Sequence, residues 1–182
     1  MTQVGPAVPR EPGAVDGGGF RDAMRLLPSG VVMVTVSVDG RPWGLTISSC
    51  CSLTADPPQL LISLFTRTVT CQEILGGGSF GISVLGADHS EVAALGAASG
   101  AAKFVDGYCD ECDHRATSPR VRGAVYHLDC RLAAAHEHGD HTVIVGAVIG
   151  AERTAAEPAA DPLIYFDRSY RRVGADLTAV SG

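Results

Sequence analysis

The chain has 182 residues, 46% apolar and 19% charged. That composition suits one domain with a buried core, and excludes both global disorder and two ordinary domains. A formal net charge of −6 argues against a nucleic-acid partner, which would ask for a basic surface.

Residues 1–19 are rich in Pro and Gly and carry no basic start followed by an apolar run. They are expected to be a disordered arm and not a secretory leader. No stretch reaches roughly 18 uninterrupted apolar residues, so no membrane span is expected. A cytoplasmic protein follows, with its six cysteines as thiols. Phe20, Met24 and Leu27 recur at helical spacing and predict one short amphipathic helix, stopped at Pro28. The β-branched run 31–38 predicts a strand that ends in the hairpin turn Asp39-Gly40. Residues 43–53 predict a second strand, closed by Asp56-Pro57-Pro58, and 60–65 a third. Thr70 and Glu73 have the spacing of a capping box for a short helix that Gly76-Gly77-Gly78 terminates.

Residues 80–85 predict a fourth strand, and Asp88-His89-Ser90-Glu91 a capped helix through about Leu95. Residues 96–120 read as irregular. Residues 124–137 and 141–150 flank His138-Gly139-Asp140 and predict a long hairpin. Its second arm is apolar on both faces, hence central or at an interface. Residues 162–166 predict a last short strand, with a paired edge in 169–173. Close hairpins with only short helices predict a mainly antiparallel β-barrel. The domain is expected over residues 20–175, with a flexible tail at 176–182.

Four constellations stand out. Thr46, Ser48 and Cys50 share one strand face by period two, a hydroxyl row able to bind a polar ligand edge or simply to face solvent. Thr66-Arg67-Thr68-Val69-Thr70 gathers hydroxyls, a guanidinium and free N–H groups at a helix start, a local recipe for phosphate or an ordinary cap. His138-Gly139-Asp140-His141 places imidazoles at a hairpin tip. Cys109, Cys112 and His114 make half a zinc site, which His127 and Cys130 complete only if the loop folds back on the strand.

In order and spacing, residues 20–36, 39–64, 80–85, 139–141 and 161–170 resemble the flavin reductase family. These are reductase components of two-component flavin monooxygenases, with an FMN-binding split-barrel fold. The resemblance implies a homodimeric NAD(P)H:flavin oxidoreductase that uses FAD or FMN with NADH or NADPH and supplies reduced flavin to a separate flavin-dependent monooxygenase. It places Trp43, Gly44, Leu45 and Thr46 along the isoalloxazine, with Ser48 and Ser49 beside them. Ser63, Leu64 and Phe65 reach the ribityl chain, and Thr68 and Thr70 the phosphate. His141 lies near the nicotinamide, in a positioning role. Tyr165, Phe166, Asp167, Arg168 and Tyr170 close over the pyridine nucleotide. Where the family often carries an aromatic after its second capped helix, this chain reads Leu95-Gly96. Two other classes stay open: a flavin-binding electron carrier without pyridine nucleotide, and a zinc-stabilised interaction protein resting on residues 109–114.

Overall fold

The computed structural model describes residues 2–4, 13–110, 117–153 and 161–174. The elements in chain order are β1 (Thr2–Val4), α1 (Gly17–Met24), β2 (Ser29–Gly30), β3 (Val32–Val38), β4 (Arg41–Ile47), β5 (Cys50–Ala55), β6 (Pro58–Phe65), α2 (Val69–Leu75), β7 (Ser79–Val84), α3 (Ser90–Ala97), β8 (Tyr126–His138), β9 (His141–Arg153), β10 (Ile164–Phe166) and β11 (Ser169–Arg171). The main sheet runs β4-β3-β7-β8-β9-β6-β5, and β11-β10-β2 form a small second sheet.

The expected barrel is therefore open. β4 and β5 are consecutive in sequence but lie at the two ends of the sheet path. The predicted strand 43–53 is broken at Ser48-Ser49, and it is this break that lets the chain leave one edge and start the other. Every pairing in the main sheet is antiparallel except that of β1, which lies parallel to β8. The expectation for residues 1–19 thus changes at two places: residues 2–4 pair with β8, and α1 begins at Gly17. Asp16 caps α1, its Oδ1 accepting the Gly19 N–H at 2.7 Å. Among the described residues no helix is long and apolar enough to cross a membrane.

The turns follow local chemistry. Asp39 and Gly40 both have positive φ, 51° and 75°, as a two-residue turn matched to strand twist requires. β9 sits between β8 and β6, the central position expected of it; Thr142 and Ile144 on one face are buried, while Val143 and Val145 on the other are half-buried. β3 is buried on both faces from Val32 to Val36. One face meets Ile62, Leu64, Phe80 and Ile144 inside the rolled sheet. The other is covered by α3 and the segment through Val105 and Val121. Each such side chain, fully buried, contributes about 1.5–3 kcal/mol.

A polar node fastens residues 117–121 to the sheet. Ser83 and His127 face each other across β7 and β8. Their side chains lie 3.1 Å apart, Ser83 Oγ to His127 Nδ1. Ser83 Oγ also accepts the Val121 N–H at 3.2 Å. His127 Nε2 is 3.3 Å from Ser118 Oγ, which donates to Asp129 at 2.5 Å. Thr35 donates to the Pro119 carbonyl. One arrangement of protons satisfies the whole chain: Ser83 donates to Nδ1, and Nε2–H donates to Ser118. A neutral imidazole fits it.

The cysteine motif lies largely outside the described residues: Cys112 and His114 fall in 111–116, and only Cys109 is placed, buried near Val121. His127 already has hydroxyl partners on both nitrogens. Cys130 is fully buried in the core, where burial pushes its thiol up to about 12. Neither side chain is available to complete a zinc site.

Candidate active site

The break in the sheet opens a cleft of about 370 Å³. Segments far apart in the sequence line it. β4 and the Ser48-Ser49 link bring Leu45, Thr46, Ile47, Ser48 and Ser49, and the end of β6 brings Ser63, Leu64 and Phe65. Thr68 comes from the entry to α2 and His141 from the start of β9. Tyr165 and Tyr170 come from the β10–β11 hairpin.

The link joins the β5–β6 ladder at Ser49 and Ser63. Ser49 Oγ donates to the Ser63 carbonyl at 2.7 Å, and the Ser63 N–H to the Ser49 carbonyl at 3.2 Å. Thr46 Oγ1 is buried and has no hydrogen-bond partner. A buried hydroxyl left in this state costs free energy unless a ligand or water completes it, and this residue borders the cleft. Cys50 leaves the expected hydroxyl row, because the break reverses the alternation. It packs against the core, where burial raises its thiol to about 11.

At the α2 end the helix N-cap is Thr68, not Thr70. The Thr68 hydroxyl accepts the Cys71 N–H at 3.3 Å and donates to the Phe65 carbonyl at 2.9 Å. Thr70 is fully buried, and its hydroxyl also lacks a partner. It does not line the cleft, so a direct phosphate contact from this side chain is not what the fold offers. The α-helical pattern leaves the N–H groups of the first turn without an intrahelical partner.

The β9 tip continues this wall, with His141 paired to Phe65 across the β6–β9 ladder. The Thr66 N–H donates to the Asp140 carbonyl at 2.9 Å, and Thr66 Oγ1 lies 2.9 Å from Thr142 Oγ1. His141 Nδ1 is 2.6 Å from Asp140 Oδ1. That bond holds the Asp140 carboxyl below its ordinary value. The His141 ring stands edge-on to Phe65 at 5.6 Å between centroids, and the Arg67 guanidinium lies 5.5 Å from the Phe65 ring. Tyr165 and Tyr170 meet edge-to-face at 5.9 Å. Burial pushes the Tyr170 hydroxyl up.

Several expected residues lie away from the cleft. Trp43 is two residues, about 7 Å, farther down β4, and stacks edge-on against Phe104 at 5.0 Å. Gly44 backs onto Met33, whose sulfur would be 2.6 Å from a Cβ placed there. Phe166 ends β10, and Asp167 and Arg168 form the hairpin turn with φ of 45° and 60°. Asp167 donates its N–H to the Arg25 carbonyl at 2.8 Å, and its carboxylate is 3.5 Å from Arg25 Nε. These three residues shape the hairpin that carries Tyr165 and Tyr170. Conversely, Val31, Ile47 and Ala97 line the cleft without having been expected there. Ile47 had a usable signal, being next to Thr46, but strict alternation assigned it to the other face.

A cleft in an open antiparallel sheet, lined by hydroxyls, an imidazole and two tyrosines, defines a site with many hydrogen-bonding groups around an apolar floor. The chain belongs to the flavin reductase like domain family, which matches residues 24–174. It is 36% identical over 162 residues to the flavin reductase (NADH) of Kitasatospora aureofaciens, covering 88% of this chain and 84% of that one. It is 35% identical over 139 residues to the reductase component of 4-nitrophenol 4-monooxygenase/4-nitrocatechol 2-monooxygenase of Rhodococcus opacus, covering 76% and 74%. Among solved structures it is similar to the NADH:FAD oxidoreductase of Streptomyces globisporus C-1027 in complex with NAD and FAD fragments. There the TM-score is 0.77 and the identity 31%, over 90% of this chain and 96% of that one.

Proposed function

We propose that the protein is an NAD(P)H:flavin oxidoreductase that supplies reduced FAD or FMN to a separate flavin-dependent monooxygenase. The observation that carries this reading is the single cleft into which four sequence-distant segments bring Thr46, Ser48, Ser49, Ser63, Thr68, His141, Tyr165 and Tyr170. The hydroxyl-rich wall of the cleft suits a ring with hydrogen-bonding edges. The names of the relatives favour NADH as the reductant.

When both nucleotides are bound, a hydride passes from nicotinamide C4 to flavin N5, leaving oxidised nicotinamide and reduced flavin; that chemistry belongs to the rings. The protein supplies position. Leu45, Thr46, Ser48 and Ser49 border the isoalloxazine, and Ser63, Leu64 and Phe65 the ribityl chain. Thr68, with Arg67 beside it, faces the phosphate. Asp140 accepts a hydrogen bond from His141 Nδ1–H, which leaves Nε2 as an acceptor for a carboxamide N–H of the nicotinamide. Tyr165 and Tyr170 cover the pyridine nucleotide and keep water from the rings. No side chain has to take or give a proton during the transfer.

A second copy of the chain fits the outer apolar groove lined by Cys51, Leu60, Tyr126, Leu128, Val148 and Leu163. Tyr126 and the nearby Ile149 are exposed, which supports a homodimer. Thiol cysteines and a pyridine-nucleotide reductant suit the cytoplasm.

The test is oxidation of NADH and NADPH by the purified protein with free FAD, FMN and riboflavin. Turnover that depends on added or retained flavin is expected. Flavin binding without reduction by either nucleotide in stopped flow would replace this reading with the electron-carrier one, against which His141 and the two tyrosines on the same cleft now speak.

A further inference from the structure

Lys103 is the chain's one lysine. Its carbonyl accepts the Gly44 N–H at 2.9 Å, which fastens the residue to the outer edge of β4. Its side chain runs back to α3, where Nζ donates to the Gly96 carbonyl at 2.7 Å. The last carbonyls of a helix lack intrahelical donors, and a cation there matches the helix dipole. Burial lowers the Lys103 pKa, as expected for an ammonium whose partner is a carbonyl.

Gly96 in turn touches the cleft wall. A Cβ at this position would stand 2.4 Å from Thr46 Oγ1 and 3.0 Å from the Thr46 nitrogen. Thr46 is the residue with the buried, unpartnered hydroxyl, and Ala97, next to Gly96, also lines the cleft. Lys103, Gly96 and Thr46 therefore form one continuous contact path that ends at the cleft.

We propose that Lys103 is a positioning residue for flavin: it clamps the end of α3 onto Thr46, setting the wall the isoalloxazine rests on, and its ammonium one residue behind that wall favours the reduced ring. The inference rests on the flavin reductase reading. Reduced flavin carries more negative charge than oxidised flavin, so a fixed cation behind the wall discriminates between them.

The experiment is anaerobic titration of oxidised and of chemically reduced riboflavin, with melting curves alongside, for the wild type, Lys103→Met, Lys103→Arg and Gly96→Ala. Lys103→Met is expected to weaken the oxidised ring about tenfold, and the reduced ring about a further tenfold. Lys103→Arg restores the ratio between the two forms. Gly96→Ala displaces the wall but keeps the charge, so it weakens both forms alike. Lys103→Met that binds both forms as the wild type does, or weakens them equally, overturns the proposal. If Lys103→Met does not fold, Lys103→Gln keeps an N–H donor, removes the charge, and faces the same criterion. A wild type that binds neither form would instead overturn the reading of the cleft itself.

Discussion

Two threonines two residues apart at the start of α2 make opposite predictions. Thr70 buries a hydroxyl with no partner. Such a group costs about 1–3 kcal/mol, and replacement by an apolar group of the same shape removes that cost. Valine has the same branching and almost the same helix propensity. Thr70→Val should therefore stabilise the fold by about 1 kcal/mol, raising Tm by about 2–4 °C for a domain of this size. Its FMN and riboflavin affinities should stay as in the wild type. Thr68 uses its hydroxyl twice, as cap and as donor to Phe65, and borders the cleft. Thr68→Val should lose about 1 kcal/mol of stability through the cap. A bound phosphate would take the hydroxyl's one proton from the Phe65 carbonyl, so Thr68→Val should also weaken FMN about five- to thirtyfold more than riboflavin, the equivalent of one hydrogen bond. Calorimetry and fluorescence titration on both variants check this. If Thr70→Val selectively weakens FMN, or lowers Tm, the hydroxyl has a partner and the reasoning fails.

His141→Ala should raise the KM for NADH and lower kcat/KM about five- to thirtyfold with flavin affinity unchanged; a loss above about a thousandfold in initial rates would mean direct chemistry. Trp43→Phe should leave the flavin Kd unchanged, since Trp43 packs on Phe104 away from the cleft; a tenfold loss in a fluorescence titration would return it to the site. Burial holds the His127 pKa below its ordinary 6.5. The unfolded chain then takes up the proton first, so the stability contributed by neutral His127 is present above about pH 6.5 and lost as pH falls toward the folded value. Asp129, Arg120 and Glu152 also bear on this ring. Melting curves between pH 7 and 5 should show a decline that is smaller in His127→Gln.

The predicted elements that survive are those written in local chemistry. Asp39-Gly40 specifies its own turn, and the apolar residues of 141–150 mark a strand central in the sheet. What failed depended on partners distant in sequence. Thr70 was favoured as a cap because Glu73 completes the pattern, but the phase of α2 is set by Ile74 and Cys71 packing into the core, and this moves the cap to Thr68. The break at Ser48-Ser49 has no Pro or Gly to announce it. It arises because β4 pairs with β3 and β5 with β6, at opposite ends of the sheet. In the site, Thr46, Ser63, His141 and Tyr165 were legible as a set through family likeness. The role of Gly96 was not, because only its approach to Thr46 shows why the side chain must be absent.

The Ser48-Ser49 link has a bearing on engineering. On one side Ile47 is held opposite Val32, and on the other Cys50 opposite Ile62. The two ladders keep their registers independently, since no ladder hydrogen bond joins β4 to β5. A residue inserted between Ser48 and Ser49 therefore shifts neither ladder, whereas an insertion inside either strand would turn its side chains over. The link at the rim of the cleft can therefore be lengthened or varied without redesigning the scaffold that carries it.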